Sequence, residues 1–582
     1  MQHRAALDFV ESGTDALAPH QRSDGELVDP VFGEPTQYGT AYFAELCAAV
    51  ALLGNANARA RRVAAARAGA AAVLAHLHDL SSRPALSSVS GAVATPQFHN
   101  HRDFMWPALL RTTGLLRRLG GSTEALEGQI ASVAVPAAFA KRPPNNWASV
   151  WLSGEQLRVH GGIGSPNPEF DRWVGAFFES DAAIPSPLGA GRPHVDLDLG
   201  LYAEPGLPNS YDLFTRAHLF EVLRAGYDGP HRSELEQLVI AGARRSLGVQ
   251  LSSGSLASAH RSTGQLWTLT LQVAYLHAVA QWTALSDPDL AKKASDGAQR
   301  ALRAAVASLR SDATISPAEN ALPAAARVGY EPYTMDAHYT SLALAFLARA
   351  LLEEFCVLAD PPPPSGALVE GDPVSRALLH DAGFSLHLNL APQGHYDGFG
   401  IADLTCGLGR RLNFGAQARW GAVGTAGKGT PTPLNLGVGR WEDDDTFVAV
   451  ASLTPLRPGT ARIEGNRLVA TADFAKFAYR FEGTIAQDRV RITESAGEGA
   501  HSLLVPVVRD RGSGTLTEIA FDGDAARLRH GSEVLVVRVL RPLRRALLLE
   551  DGCYASRHGT VALLRLDAEG EGALTYEVVR AR

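Results

Sequence analysis

The chain changes its hydrophobic period once, and that change constrains the fold more than any other feature. Up to about residue 355, apolar side chains recur every three to four positions in Ala-, Leu- and Arg-rich segments broken by Gly, Pro and Ser. This is the spacing of helices. From about residue 380 the period falls to two, in runs such as Phe447-Val448-Ala449-Val450-Ala451, Arg489-Val490-Arg491-Ile492 and 534–540, with Gly- and Asp-bearing turns between them. Pro361-Pro362-Pro363-Pro364-Ser365-Gly366 stands at the junction and reads as a stiff connector. At 582 residues the chain exceeds what one compact core supports. The expectation is a helical domain over 1–360, a linker over 361–379 and an antiparallel β domain over 380–582.

The helical part carries a weak internal repeat. Six apolar helices open on a polar or aromatic cluster: at Tyr38 (YGTAYFAELCAAVALLG), His99 (HNHRDFMWPALLRTTGLL), Asn145 (NNWASVWLSGEQLRV), Tyr211 (YDLFTRAHLFEVLRAGY), Ala259 (AHRSTGQLWTLTLQVAYL) and Tyr333 (YTMDAHYTSLALAFLARAL). More charged helices fall between them, near 61–80, 123–139, 169–178, 232–247 and 290–309. Helices that are apolar all round, alternating with amphipathic ones, predict an inner and an outer ring. Inner helices of such a ring run parallel, so their N-terminal ends gather at one rim. That geometry would join Tyr38, His99, His101, Asp103, Asn145, Asn146, Tyr211, Asp212, His260, Arg261, Tyr333, Asp336 and His338. Taken singly, each also reads as a helix cap or a satisfied rim residue.

One start exceeds what capping needs. After Pro143-Pro144, a single Asn would cap the helix, but Asn145 is followed by Asn146, and Trp147 and Trp151 then share one helical face. Flat apolar rings beside amides suit a sugar; they equally suit an ordinary buried helix.

Several classes are disfavoured. A net charge of -7 argues against a nucleic-acid partner. Cys47, Cys356, Cys406 and Cys553 lie far apart without a CxxC, so neither a zinc site nor a disulfide framework is expected. The N-terminus lacks a signal-peptide core and no run is long enough to span a bilayer, so the protein is expected to be cytoplasmic or to have lost an export leader. No Gly-rich phosphate loop, dinucleotide fingerprint or HExxH occurs, and no cofactor or metal is expected.

A ring of paired helices followed by an antiparallel β domain resembles the polysaccharide lyases of the chondroitin, hyaluronate and xanthan type, and the alginate and heparin lyases built on the same plan. Asn145-Asn146-Trp147 looks like the Asn-Asn-Trp helix start of the hyaluronate and chondroitin lyases, where the second Asn meets the uronate carboxylate. Gly200-Leu201-Tyr202-Ala203-Glu204-Pro205, followed by Asn209-Ser210-Tyr211-Asp212, looks like the loop and helix that carry those lyases' catalytic His and Tyr. Tyr211 matches the tyrosine. The specific likeness covers about 145–215. It implies a multidomain fold, an (α/α)6-type incomplete toroid followed by an antiparallel β-sandwich, and β-elimination on an acidic polysaccharide or oligosaccharide. The chain departs from the pattern where the family places its His, because Glu204 and Pro205 stand there. The missing imidazole would come from His194, His260 or His101.

Elimination in a uronate needs charge stabilised at the carboxyl group, a base for the alpha proton and an acid for the leaving oxygen. Asn146 is the candidate for the first task, supported by Arg261 or Arg216. Tyr211 and then His260 are the candidates for proton transfer, with the tyrosine pKa expected to fall beside a cationic rim. Asn145, Trp147, His99, His101, Tyr333, Asp336 and His338 are expected to line the substrate. Two alternatives stay open. A glycoside hydrolase on the same ring would use two carboxyl groups from among Asp103, Asp212, Asp336, Glu34 and Glu204. A carbohydrate-binding protein would keep the architecture without the chemistry. Among smaller features, Glu442-Asp443-Asp444-Asp445 reads as a solvated turn or a calcium site. The stretch 395–400 is a substrate-facing loop or a plain turn. Asp24-Gly25 with Glu34-Pro35 is a lid or a structured arm.

Overall fold

The computed structural model describes residues 2–36, 38–78, 102–133, 144–181, 185–331, 334–355, 361–392, 398–407, 413–415, 435–442 and 446–581. Its helices are α1 (Gln2–Leu17), α2 (Gly39–Leu53), α3 (Arg59–His78), α4 (Arg102–Arg118), α5 (Glu124–Ser132), α6 (Asn146–His160), α7 (Phe170–Gly175), α8 (Asn209–Arg224), α9 (Arg232–Gly248), α10 (Leu266–Thr283), α11 (Pro288–Val306) and α12 (Asp336–Leu352). Helices α2, α4, α6, α8, α10 and α12 each pack on the next, and α12 returns to α2 to close the circuit. Sequence explains which helices are inside. Every residue of α2 from Gly39 to Ala51 is buried, as is almost all of α12. In α11, by contrast, charged Lys292, Lys293 and Asp296 sit on a face turned from the buried Ala294, Ala298 and Ala301. Asp287 caps α11 and Pro288 fills its first turn.

One open alternative of the sequence reading is decided and one helix start is corrected. The outer helix behind α12 comes from the N-terminus, as α1, and the segment after it is a structured arm: Asp29 Oδ2 accepts from the Ala337 N–H at 2.8 Å and pins the arm to the start of α12. The fifth inner helix begins at Leu266, not near Ala259. His260 and Ser262 adopt φ of 57° and 61°, a left-handed backbone that ends any helix, so 259–265 is a shaped loop.

The second half is antiparallel throughout. A five-stranded sheet (Gly366–Glu370, Arg376–Asp381, Phe384–Asn389, Gly400–Cys406, Asn413–Gly415) lies against the helical ring. An eight-stranded and a second five-stranded sheet then pack face to face over Val490, Ile492, Leu503, Val505, Leu564 and Tyr576. In Ala478–Ile485 burial alternates residue by residue, as a half-buried strand requires. Two strands therefore form inside 361–379, where a linker was expected. Arg376–Asp381 is buried on both faces, so its sequence carries no period of two. Leu368 and Leu378 pack on Val249, Leu251 and Leu256 of the helical half. The architecture is thus a helical toroid followed by an antiparallel β-sandwich.

Candidate active site

The N-terminal rim of the ring is assembled from three segments. A short hairpin, Val195–Asp196 with Leu201–Tyr202, sets the stretch that carries Glu204 over the rim. The Tyr202 N–H bonds to Asp212 Oδ1 at 2.8 Å, tying that stretch to α8. Gly206 follows at φ 87°, and a Cβ there would lie 2.3 Å from His260 Nε2. Glycine is what lets the imidazole seat against this turn. Arg376 of the β domain bonds to the Leu207 carbonyl at 2.7 Å and to Asn209 Oδ1 at 3.0 Å, fixing the first turn of α8 and hence Tyr211. The 259–265 loop is held the same way. Ser258 donates to Asp403 through both its N–H and its hydroxyl, and Arg557 Nη2 bonds to the His260 carbonyl at 3.0 Å.

Glu204 is the hub of the site. It is 4% exposed. Asn146 Nδ2 donates to Oε2 at 2.7 Å, the Tyr202 hydroxyl to the same oxygen at 3.1 Å, and Arg261 Nη2 is ion-paired with Oε1. The Arg261 guanidinium lies 4.6 Å from the centroid of the Tyr211 ring. Ser262 Oγ reaches the Tyr211 hydroxyl at 3.4 Å and Glu331 Oε2 at 3.0 Å, and the Ser262 N–H bonds to Glu331 Oε1. Burial pushes the Glu331 carboxyl above its usual range, partly offset by Ser262 and by the charges of Arg557 and Arg261.

The expected lowering of the Tyr211 pKa is reversed. Burial of the phenol pushes it well above the ordinary tyrosine value, and Arg261 offsets only part of this. Tyr211 is therefore a neutral phenol, suited to giving a proton. His194 is also pushed toward its neutral form by burial, with Nδ1 3.3 Å from the Ala203 carbonyl and the Glu204 charge acting on it. Around these polar groups lies an aromatic bed. Tyr38 stacks on Phe104 at 4.6 Å, Phe104 on Phe214 at 5.7 Å, and Trp147 meets the Phe104 edge at 6.1 Å.

Asn146, Tyr211, His260, Arg261 and His194 thus come together. Other expected site residues do not. Asn145 is the plain cap of α6, accepting from the Ala148 N–H at 3.1 Å. Arg216 is buried away from the rim, holding Asp212, the Gly242 carbonyl and Ser246, because one helical turn places Asp212 and Arg216 side by side. Asp336 is engaged by Arg310 and Tyr330. Its carboxylate is a structural partner, and the Asp212 and Asp336 candidates for hydrolysis are taken up in the same way. His338 is buried against the Tyr38 ring at 3.9 Å. His99, His101, Tyr333 and the 395–397 part of the β-domain loop lie outside the described residues, as do Asp443, Asp444 and Asp445. Sequence reasoning missed Ser262, Glu331 and Arg557. Glu331 lies five residues before α12, in the Gly329-Tyr330-Glu331 turn, and an acid just upstream of a polar helix start was the available signal. Nothing local marks Arg557, which arrives from a β-hairpin.

No protein-family model matches the chain, and no curated protein matches it. Solved structures do. The chondroitin AC lyase of Streptomyces coelicolor A3, in complex with chondroitin sulphate, is 14% identical with a TM-score of 0.48, covering 100% of this chain and 79% of that one. A heparan sulfate lyase from Pedobacter heparinus is 12% identical with a TM-score of 0.35 over 90% of each chain. A family 88 glycosyl hydrolase from Bacteroides vulgatus is 12% identical with a TM-score of 0.37, covering 60% of this chain and 99% of that one. The likeness is one of architecture.

Proposed function

We propose that the protein is an enzyme acting on polysaccharides, and that it cleaves a uronic-acid-containing polysaccharide by β-elimination. One observation carries the reading: Asn146, Tyr211 and the His260–Arg261 pair, from three distant segments, meet at one rim, with the partly exposed Trp147 ring next to Asn146. In the proposed reaction His260, partly exposed on its left-handed turn, takes the proton alpha to the carboxyl group. The electron pair forms the carbon–carbon double bond as the bond to the 4-linked oxygen breaks, and the Tyr211 phenol protonates that leaving oxygen. Arg261 donates to the carboxyl group as charge moves onto it.

A second reading is favoured by one specific feature. Glu204 and Glu331 both face Arg261, and the carboxyl of Glu331 is raised toward its protonated form. That pairing of an acid with a carboxylate is what a glycoside hydrolase needs. A panel of uronate polymers followed by near-ultraviolet absorbance separates the two. Elimination yields an absorbing unsaturated end, whereas hydrolysis yields new reducing ends without absorbance. The second result would replace the first reading.

A further inference from the structure

The charges at this rim are matched before any substrate arrives. Arg261 is ion-paired with Glu204, and Glu331 is met by Ser262 and by the charge of Arg557. One layer further in, Arg310 is paired with Asp336 and Arg216 with Asp212. Arg261, the rim cation that lies over the Tyr211 ring, is thus already balanced before a sugar brings in a carboxylate. Placing an unmatched carboxylate beside the buried Glu204 carboxylate is strongly unfavourable.

The hydrogen-bonding atoms left over point the same way. A carboxylate only accepts, so Asn146 must turn Nδ2 toward Glu204. Its Oδ1 is left buried with no partner among the described residues, in a side chain only 5% exposed. The Arg261 Nε–H is left likewise. Beside Glu204, these two atoms offer one acceptor and one donor. These suit a sugar hydroxyl and a carbonyl oxygen, and an acceptor at Oδ1 repels a carboxylate.

We infer that the reacting sugar is an uncharged uronate ester rather than a free uronate, and that Glu204 is the residue that sets this specificity. The inference rests on the elimination reading above. An ester is also the easier substrate for that chemistry, because its alpha proton is not held back by a negative charge on the carboxyl group. The step balances without any co-reactant: the alpha proton goes to the base, the 4-linked oxygen leaves and is protonated, and the ester group stays intact on the unsaturated product.

The test compares polygalacturonate and glucuronan, each as the free acid and as the methyl ester, with wild type and Glu204→Gln. Wild type should show a kcat/KM at least tenfold higher for the esters. Glu204→Gln removes the matched charge, frees Arg261 for a free carboxylate, and should erase or invert that preference. A wild-type preference for the free acids overturns the inference and leaves elimination standing, and this ratio decides even if the variant fails to fold. If only reducing ends appear, elimination itself falls. Calorimetric binding of short free and esterified oligomers to wild type then decides the charge argument separately: tighter binding of the esters supports it, and equal, reversed or absent binding overturns it.

Discussion

The two ends of the helical ring use the same six helices and the same kinds of residue, yet hold them differently. At the C-terminal end lies a cavity of about 370 Å³ lined from all six inner helices. Three of its arginines are ion-paired there. Arg349 grips both oxygens of Glu45, Arg111 both oxygens of Glu221, and Arg224 meets Glu353 at 2.8 Å. At the N-terminal end the polar groups sit on loops, at 194–208, 258–265 and 329–331, and three β-domain residues, Arg376, Asp403 and Arg557, hold the first two in place. Pairing within rigid helices gives a stable end. Loops braced from a second domain can present groups such as the left-handed His260–Ser262 turn that no regular helix could offer. On this view the β-sandwich is a working part of the site.

The contrast can be broken in several ways. The largest effect is expected at the rim. Tyr211→Phe should lower kcat by about a thousandfold, roughly 4 kcal/mol of barrier, with an unchanged melting temperature, because only the hydroxyl is lost. At the other end the signs exchange. Glu45→Gln leaves the half-buried Arg349 under-compensated, so denaturant melts should show a loss of about 2–3 kcal/mol while kcat stays at the wild-type value.

Acidity sharpens the comparison. Burial pushes Glu221 up, but Arg111 and Arg349 outweigh it and hold the carboxyl at about 2. In the sandwich core Glu494 is held only by the Tyr479 and Tyr576 hydroxyls and the Val438 backbone, and burial pushes it to about 7. Because its folded pKa is raised, its contribution is fully present below about pH 4.5 and is lost as pH rises through about 7. That loss is on the order of 3 kcal/mol. The stability difference between wild type and Glu494→Gln, followed across that window, should fall by this amount; a flat difference would refute it. The smallest effect concerns the brace. Asp403→Asn weakens the hold on Ser258 and His387, and should cost roughly tenfold to a hundredfold in turnover, with a smaller change in KM.

Much of the architecture was legible because period is a local property: helices that are apolar all round, then short alternating strands. Asn146, Tyr211, His260 and Arg261 were legible as polar groups at or just before helix starts. What failed did so for identifiable reasons. Arg216 and Asp336 carry the right chemistry, but each is taken by a partner the ring requires. For Arg216 that partner, Asp212, stands four residues away and could have been read as an ion pair. The inversion at Tyr211 depends on burial, which the cluster of charged neighbours in sequence does not reveal. The reach of Arg557 to a loop almost 300 residues earlier depends on how two domains meet, and no local pattern encodes it.

Mass spectrometry of the products from free and esterified uronate polymers tests the central claim most directly. A β-eliminating rim predicts fragments with one new end lighter by a water molecule than the hydrolytic product, abundant with wild type and lost in Tyr211→Phe. Fragments that all carry the added water, persisting in Tyr211→Phe and lost in Glu331→Gln, would contradict elimination and assign the rim to hydrolysis.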